Sequence, residues 1–299
     1  MWFRQLSFYP IAKGKTPNQE TLQDNLADAG FVPCEGLAWF SEGFVAPVDT
    51  QPDNLVFTIQ NSMKVALKKE DKVLPAGVIN DVVNEKIQRI EDEESRSVGR
   101  KEKQSIKEQV TDDLLPRAFT RSGHMQAIFD SKRDFLLINQ GSATRAESML
   151  TKLRQCLGGL EASLPRTELS ASSLMTNWLT QKQAEGNFVL DSDCELKGMG
   201  ETAAVVRMSK QDLTADEIAA HLENKVVTRL GLIWDDKIRF VLNEDLSFRR
   251  IEFLDALQEE ASNEGEDKES LLAASQLITT ETLGQMIEEL IVHLGGFQQ

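Results

Sequence analysis

Three apolar runs, residues 230–234, 237–242 and 246–253, are separated by nothing longer than Asp235-Asp236 and Asn243-Glu244-Asp245. Connections this short admit only antiparallel pairing, because a parallel partner needs a crossover of about a dozen residues or more. Residues 127–129 and 135–138 flank Asp130-Ser131-Lys132-Arg133-Asp134 in the same way and read as a hairpin. Residues 56–59 and 63–67 add further strand signals. Helices inserted between such groups of strands give an α+β fold, with antiparallel sheets and packed helices rather than a parallel βαβ sheet.

The helices are marked by caps and apolar stripes. Thr16-Pro17-Asn18-Gln19 reads as a capping box with proline at the first helical position, followed by Leu22 and Leu26 and stopped at Gly30. Ser142 precedes Ala146, Met149, Leu150 and Leu153, and Gly158-Gly159 ends that stripe. Thr214 with Glu217 opens a helix carrying Ile218 and Leu222. Leu283, Met286, Ile287, Leu290, Ile291 and Leu294 recur at three and four until Gly295-Gly296. Residues 76–115 are helical in pattern, apolar first at Ile79, Val83, Ile87 and Ile90 and then at Ile106, Val110 and Leu114, with a charged stretch between. That predicts a protruding helical hairpin. All eight prolines lie at or before Pro165. The spacing therefore predicts an N-terminal α+β region over 1–165, with its helical excursion at about 76–115. A C-terminal α+β region over 166–299 then carries the meander and acidic C-terminal helices.

Charge narrows the function classes. The 299 residues hold 33 Lys and Arg against 48 Asp and Glu, a formal net charge of -15, which excludes a uniformly basic nucleic-acid binder. Residues 251–299 contain eleven acids and Lys268 as their one base, so most of the excess sits there. Charges more than about 8 Å apart are largely screened, so this acidic end does not cancel a basic surface elsewhere. Cys34, Cys156 and Cys194 are odd in number and form no CxxC pair, as suits a reducing compartment. No apolar run approaches the roughly 18 residues of a membrane span, and the N-terminus lacks a signal-peptide layout. A cytoplasmic protein is expected, with no membrane partner.

Catalytic patterns are missing from the sequence. His124, His221 and His293 fall in no HExxH arrangement, and there is no GxSxG elbow or GxxxxGK[ST] loop. Asp191, Asp193 and Glu195 open like a calcium loop, but Leu196 stands where glycine is needed and Thr202 where the closing glutamate belongs. They read as a solvated acidic turn, and the run Glu259, Glu260, Glu264, Glu266, Asp267 and Glu269 as a solvated loop. No catalytic residue, metal site or cofactor is expected.

Two segments carry binding chemistry. In Leu114-Leu115-Pro116-Arg117-Ala118-Phe119-Thr120-Arg121, proline ends a helix and biases Leu115 toward extended backbone, so Arg117, Phe119 and Arg121 would alternate on one face. Two guanidiniums beside a ring suit phosphates and a stacked base or partner residue. The competing reading puts Phe119 in the core and both arginines in solvent, and composition alone favours it. Lys210 and Gln211 sit between an apolar strand at 203–206 and the helix at Thr214, where side chains are exposed, and a plain polar loop is the alternative.

A resemblance joins these segments. The chain resembles the RdgC family of recombination-associated DNA-binding proteins of bacteria. The shared stretches are Trp2-Phe3, Phe31-Val32-Pro33-Cys34, Lys69-Glu70-Asp71-Lys72-Val73-Leu74-Pro75 with Val78-Ile79, and Leu114-Leu115-Pro116-Arg117-Ala118-Phe119. Lys210-Gln211-Asp212-Leu213-Thr214 with Glu217-Ile218 and the closing Leu294-Gly295-Gly296 complete them. The resemblance spans nearly the whole chain. It implies a ring-shaped homodimer with a basic inner surface around single- or double-stranded DNA, little sequence preference, nucleoid association, and restraint of the RecA recombinase. By the same resemblance Phe119, Lys210 and Gln211 lie at or near the contacts that close the ring. Arg117, Arg121, Lys132, Arg133 and Lys210 are the candidate DNA-facing bases. An acidic scaffold that binds a recombinase or basic partner without touching DNA, and a hydrolase with unrecognised ligands, are the readings from other classes.

Overall fold

The computed structural model describes residues 2–200, 203–263 and 267–298. Its first half runs β1 (Gln5–Pro10), α1 (Gln19–Ala27), β2 (Phe40–Val45), β3 (Phe57–Ile59), β4 (Ser62–Val73), α2 (Ala76–Glu94), α3 (Arg100–Leu114), β5 (Phe119–Asp130), β6 (Phe135–Ile138) and α4 (Ala143–Cys156). Then come α5 (Ala171–Gln181), β7 (Phe188–Gly198), β8 (Val205–Met208), α6 (Asp216–Leu222), β9 (Lys225–Trp234), β10 (Ile238–Asn243), β11 (Phe248–Phe253), α7 (Asp255–Asn263) and α8 (Lys268–His293). The chain divides into two units: Met1–Asp28, Ala46–Ala66 and Met125–Gln299 form the first, Ala29–Val45 and Leu67–His124 the second. Pro165 falls inside the first unit, between α4 and α5.

The first unit is built on an antiparallel sheet in the order β5-β6-β1-β11-β10-β9-β7-β8. The α+β class therefore holds, and β9, β10 and β11 form the expected meander. Asp235 and Asp236 take φ of 51° and 48° at its first turn, a left-handed conformation that aspartate tolerates better than most residues. The pleat sorts the strands into faces. Leu230, Leu232, Ile238, Phe240 and Leu242 point into a core shared with Phe3 ahead of β1, with Phe8 and Phe248 of the sheet, and with Trp178, Met286, Ile287 and Leu290 of α5 and α8. Arg229, Arg239 and Val241 alternate with them and face outward.

Helix α8 extends well upstream of its apolar repeat. Asp267 caps it by accepting from the N–H groups of Glu269 and Ser270. Its first half buries polar groups instead of apolar ones: Gln276 Nε2 donates to the carbonyls of Phe57 and Ser62 at 3.1 and 3.0 Å, and the Thr280 and Ser62 hydroxyls pair at 2.8 Å. Helix α1 is capped by Asn18, which accepts from Thr21 N–H, while the expected cap Thr16 donates to Asp134 instead. Helix α6 begins at Asp216 rather than Thr214, because Asp212 accepts from both the N–H and hydroxyl of Thr214. Thr202, Glu264 and Glu266 lie outside the described residues, as do the Glu217 and Glu260 side chains.

In the second unit α2 and α3 pack on one another through Ile79, Val83, Val98, Ile106 and Val110, a small apolar cluster of their own. Lys68 Nζ lies 4.0 Å over the Phe31 ring and Lys69 Nζ 4.8 Å over Phe40, giving the partly buried Lys68 and the exposed Lys69 each an aromatic face to rest on.

Lys64 of β4 is the anomaly of the first unit. It stands opposite Phe57 with 2% of its surface exposed, and burial pulls its ammonium down to about 8. The unfolded lysine holds its proton to about 10.4, so between these values unfolding takes up a proton and Lys64 costs less stability as pH rises. The Cys194 thiol, pushed up to about 12 by burial, acts oppositely in the same window. The test is therefore a difference. Lys64→Met should be more stable than wild type at pH 7, by up to about 3 kcal/mol, and the gap between their denaturation midpoints should close toward pH 10.

Candidate nucleic-acid interface

The Leu-Pro-Arg-Ala-Phe stretch departs from its expected backbone. Leu115 is helical, with φ -58° and ψ -42°, and Leu115–Arg117 forms a single 3-10 turn with proline near its start, where a missing N–H costs nothing. Leu115 is buried and anchors the turn. Arg117 consequently leaves the strand, and only Phe119 and Arg121, two apart on β5, share a face. Phe119 is 87% exposed, which rejects the core reading for that ring. Arg117 and Arg121 are exposed as well. Neither makes an ion pair among the described residues.

In the first unit, Lys210 and Gln211 follow β8, which spans 205–208 and not 203–206. Lys210 takes a left-handed φ of 57°; its N–H donates to Asp193 at 3.3 Å and that of Gln211 to the Ser192 carbonyl at 3.1 Å. Leu213 plugs the core behind them. The loop is thus fastened to β7 with both side chains outside.

Arg133 does not belong with the DNA-facing bases. Its side chain is 3% exposed and pairs with Asp130 at 2.9 Å, Glu281 at 2.7 Å and Glu288 at 2.8 Å. Burial alone would lower its pKa, but the three carboxylates overrule this and raise it. Gly284 of α8 makes room for the group, since a Cβ there would stand 2.8 Å from the guanidinium. Lys132 is half-exposed and bonded to Glu281 at 3.0 Å.

The arginines that sequence reading missed gather on the outward face of the sheet. A cavity of about 270 Å³ is bordered by Arg207, Arg229, Arg249 and Arg250 together with Asp193 and Glu195. Irregular pairing builds it. Val241 pairs with Arg249 and Arg239 with Glu252, so Arg250 and Ile251 oppose Phe240 alone, and this bulge turns two successive arginines outward. On β7 the register steps from Leu190 opposite Leu232 to Cys194 opposite Leu230, so three residues lie over Gly231. A Cβ on Gly231 would stand 3.1 Å from the Asp193 carbonyl oxygen and 3.4 Å from Asp191 Cβ.

The same bulge aligns the acids once compared with a calcium loop. They sit in strand β7, each taken by arginine: Asp191 by Arg239 at 3.4 Å, Asp193 by Arg250, and Glu195 by Arg207 at 2.7 Å and Arg229 at 3.3 Å. Partial burial would raise the Glu195 carboxyl, but Arg207 and Arg229 hold it below the ordinary carboxylate range. Arg249 donates to the Gly141 carbonyl at 2.9 Å and meets no carboxylate among the described residues. The arrangement can present guanidiniums to an anion. Among the described residues no three His, Cys, Asp or Glu side chains are grouped to hold a metal ion.

Comparison with known proteins agrees over the full length. The family model described as "Putative exonuclease, RdgC" matches residues 1–297. The chain is 56% identical, over 100% of both sequences, to the recombination-associated protein RdgC of Neisseria gonorrhoeae strain NCCP11945, and equally to that of Neisseria meningitidis strain MC58. With the Laribacter hongkongensis protein of that name it shares 46% identity over 99% of each chain. The Leu-Pro-Arg-Ala-Phe and Lys-Gln-Asp-Leu-Thr stretches therefore belong to a chain that matches its relatives from end to end, and the protein is a member of the RdgC family.

Proposed function

We propose that this chain is a sequence-nonspecific DNA-binding protein that closes as a ring-shaped homodimer around single- or double-stranded DNA and restrains RecA-driven recombination by occupying that DNA. The observation that carries this reading is its full-length kinship with proteins named for recombination. Charge placement supports it. A chain of net -15 can hold a polyanion only where its bases are gathered, and the arginine cavity is such a place. Nucleoid association would follow from DNA occupancy.

The exposed Phe119 and the fastened Lys210-Gln211 loop are assigned to the contacts between subunits, and Arg117 and Arg121 to phosphates. The pair α2 and α3, with an apolar cluster of its own, is assigned the part of an outward-reaching hairpin at one subunit contact. Deleting residues 80–110 should then reduce the dimer seen by sedimentation, and an unchanged dimer removes that assignment.

The family description favours a second reading, a nuclease. Incubating labelled DNA with Mg²⁺ separates the two, since shortened product would establish turnover and uncut but retained DNA would support binding. In fluorescence anisotropy, affinity should fall linearly with salt on logarithmic axes and differ little between sequences. Absence of binding at low salt would leave the acidic scaffold. Arg117→Ala should weaken binding equally for all sequences and lessen the salt slope by about one. Phe119→Ala should weaken ring closure or DNA retention, while its melting midpoint stays near wild type because little of the ring is buried.

A further inference from the structure

We propose that the outward face of β8, β7, β9, β10 and β11 is a track for a phosphodiester backbone, and that Asp191, Asp193 and Glu195 are resident competitors that hold its arginines until phosphates replace them. The inference rests on the DNA-binding reading and locates the contact within it.

Length argues for a polymer. Arg249, Arg229 and Arg207 stand on alternate strands of the order β11-β10-β9-β7-β8, so their backbones are spaced by about 10 Å, two interstrand steps each. The row is therefore about 20 Å long, more than one phosphate can occupy. Its arginines span five strands and follow no single helix or loop, which fits a linear ligand laid across the sheet.

Exposure argues for exchange. The Arg250 and Arg207 side chains are 73% and 74% exposed, and those of Arg229 and Arg239 are 44% and 46% exposed. Their carboxylate partners Asp193, Glu195 and Asp191 are more covered, at 23%, 15% and 20% exposed, so each pair is open on its guanidinium side, where a phosphate can offer two oxygens. Asp193 also accepts the Lys210 N–H, so the residue that releases Arg250 also fixes the Lys210 loop beside the row. The acids lower the affinity of the track without removing its charge pattern. A sequence-blind protein needs contacts of that kind if it is to shift along DNA.

The test uses the full-length protein and two fluorescein-labelled probes, a 30-nucleotide oligothymidine and a mixed-sequence duplex of equal length, titrated across a salt series. Glu195→Gln and, separately, Asp193→Asn should bind both probes several-fold more tightly than wild type at the same salt. Arg229→Gln combined with Arg249→Gln should bind about tenfold more weakly, and its salt slope should fall by up to two. Thermal melts establish that each variant is folded. Glu195→Gln and Asp193→Asn variants that bind no tighter, or an arginine pair that binds as wild type does, overturn the track while leaving the DNA-binding reading in place. Wild type that binds neither probe at low salt overturns both. Poly-glutamate displacing the probes as well as an equally charged unlabelled oligonucleotide would also overturn the phosphodiester assignment, in favour of an acidic protein ligand.

Discussion

The period-two alternation of the meander is the constraint on which the rest of the first unit depends. Because Leu230, Leu232, Ile238, Phe240 and Leu242 must face the helices, Arg229, Arg239 and Val241 have no choice but the other face. A slip of one residue in β9 or β10 would bury guanidiniums and expose leucines. The bulge on β11 breaks the alternation once, between Phe248 and Ile251, both of which point inward, and so leaves both Arg249 and Arg250 outside. Gly231 completes the arrangement by letting the irregular part of β7 approach its neighbour.

Arginine has two uses in this fold, and exposure decides between them. Arg133 is enclosed by three carboxylates and packed against α8, and removing one partner of such a buried pair typically costs about 3–5 kcal/mol. It holds the β5–β6 turn to the last helix and has nothing to offer a ligand. The β7-facing arginines make the same kind of pair with partly covered carboxylates, but their own guanidiniums stay open to solvent, 44–74% exposed, where a ligand can reach them. Net charge and residue counts cannot separate the two groups, since both are guanidinium with carboxylate.

What the sequence made legible was local. The meander, the 127–138 hairpin, the helix after Ser142 and the two helices of 76–115 are each specified by residues within a few positions of one another, and each is present, although the Ser142 side chain makes no capping hydrogen bond. The cap of α1 was misplaced because Thr16 is claimed by Asp134, 118 positions away. The upstream half of α8 was hidden because Gln276 and Thr280 are buried by hydrogen bonds to β3 and β4 rather than by hydrophobicity. For the candidate site, alternation placed Phe119 and Arg121 together but could not say whether anything covers that face. The arginine row was harder still. Recognising it requires the register of five strands and two bulges, information spread from Asp191 to Glu252, whereas the adjacent Lys210-Gln211 loop could be found from its own flanks.

The acids of β7 answer a problem that the arginines create. Guanidiniums on neighbouring strands of one face repel each other, and like charges placed across a sheet are destabilising. Asp191, Asp193 and Glu195 interleave with them, so the face is close to balanced in the free protein and the sheet can form without a ligand. The same carboxylates must be displaced when an anion arrives. Stability of the empty sheet and weakness of its contacts are therefore one property, set by the same three side chains. A row of unpaired arginines would hold an anion more tightly, but it would lose the balance that lets this acidic chain fold around it.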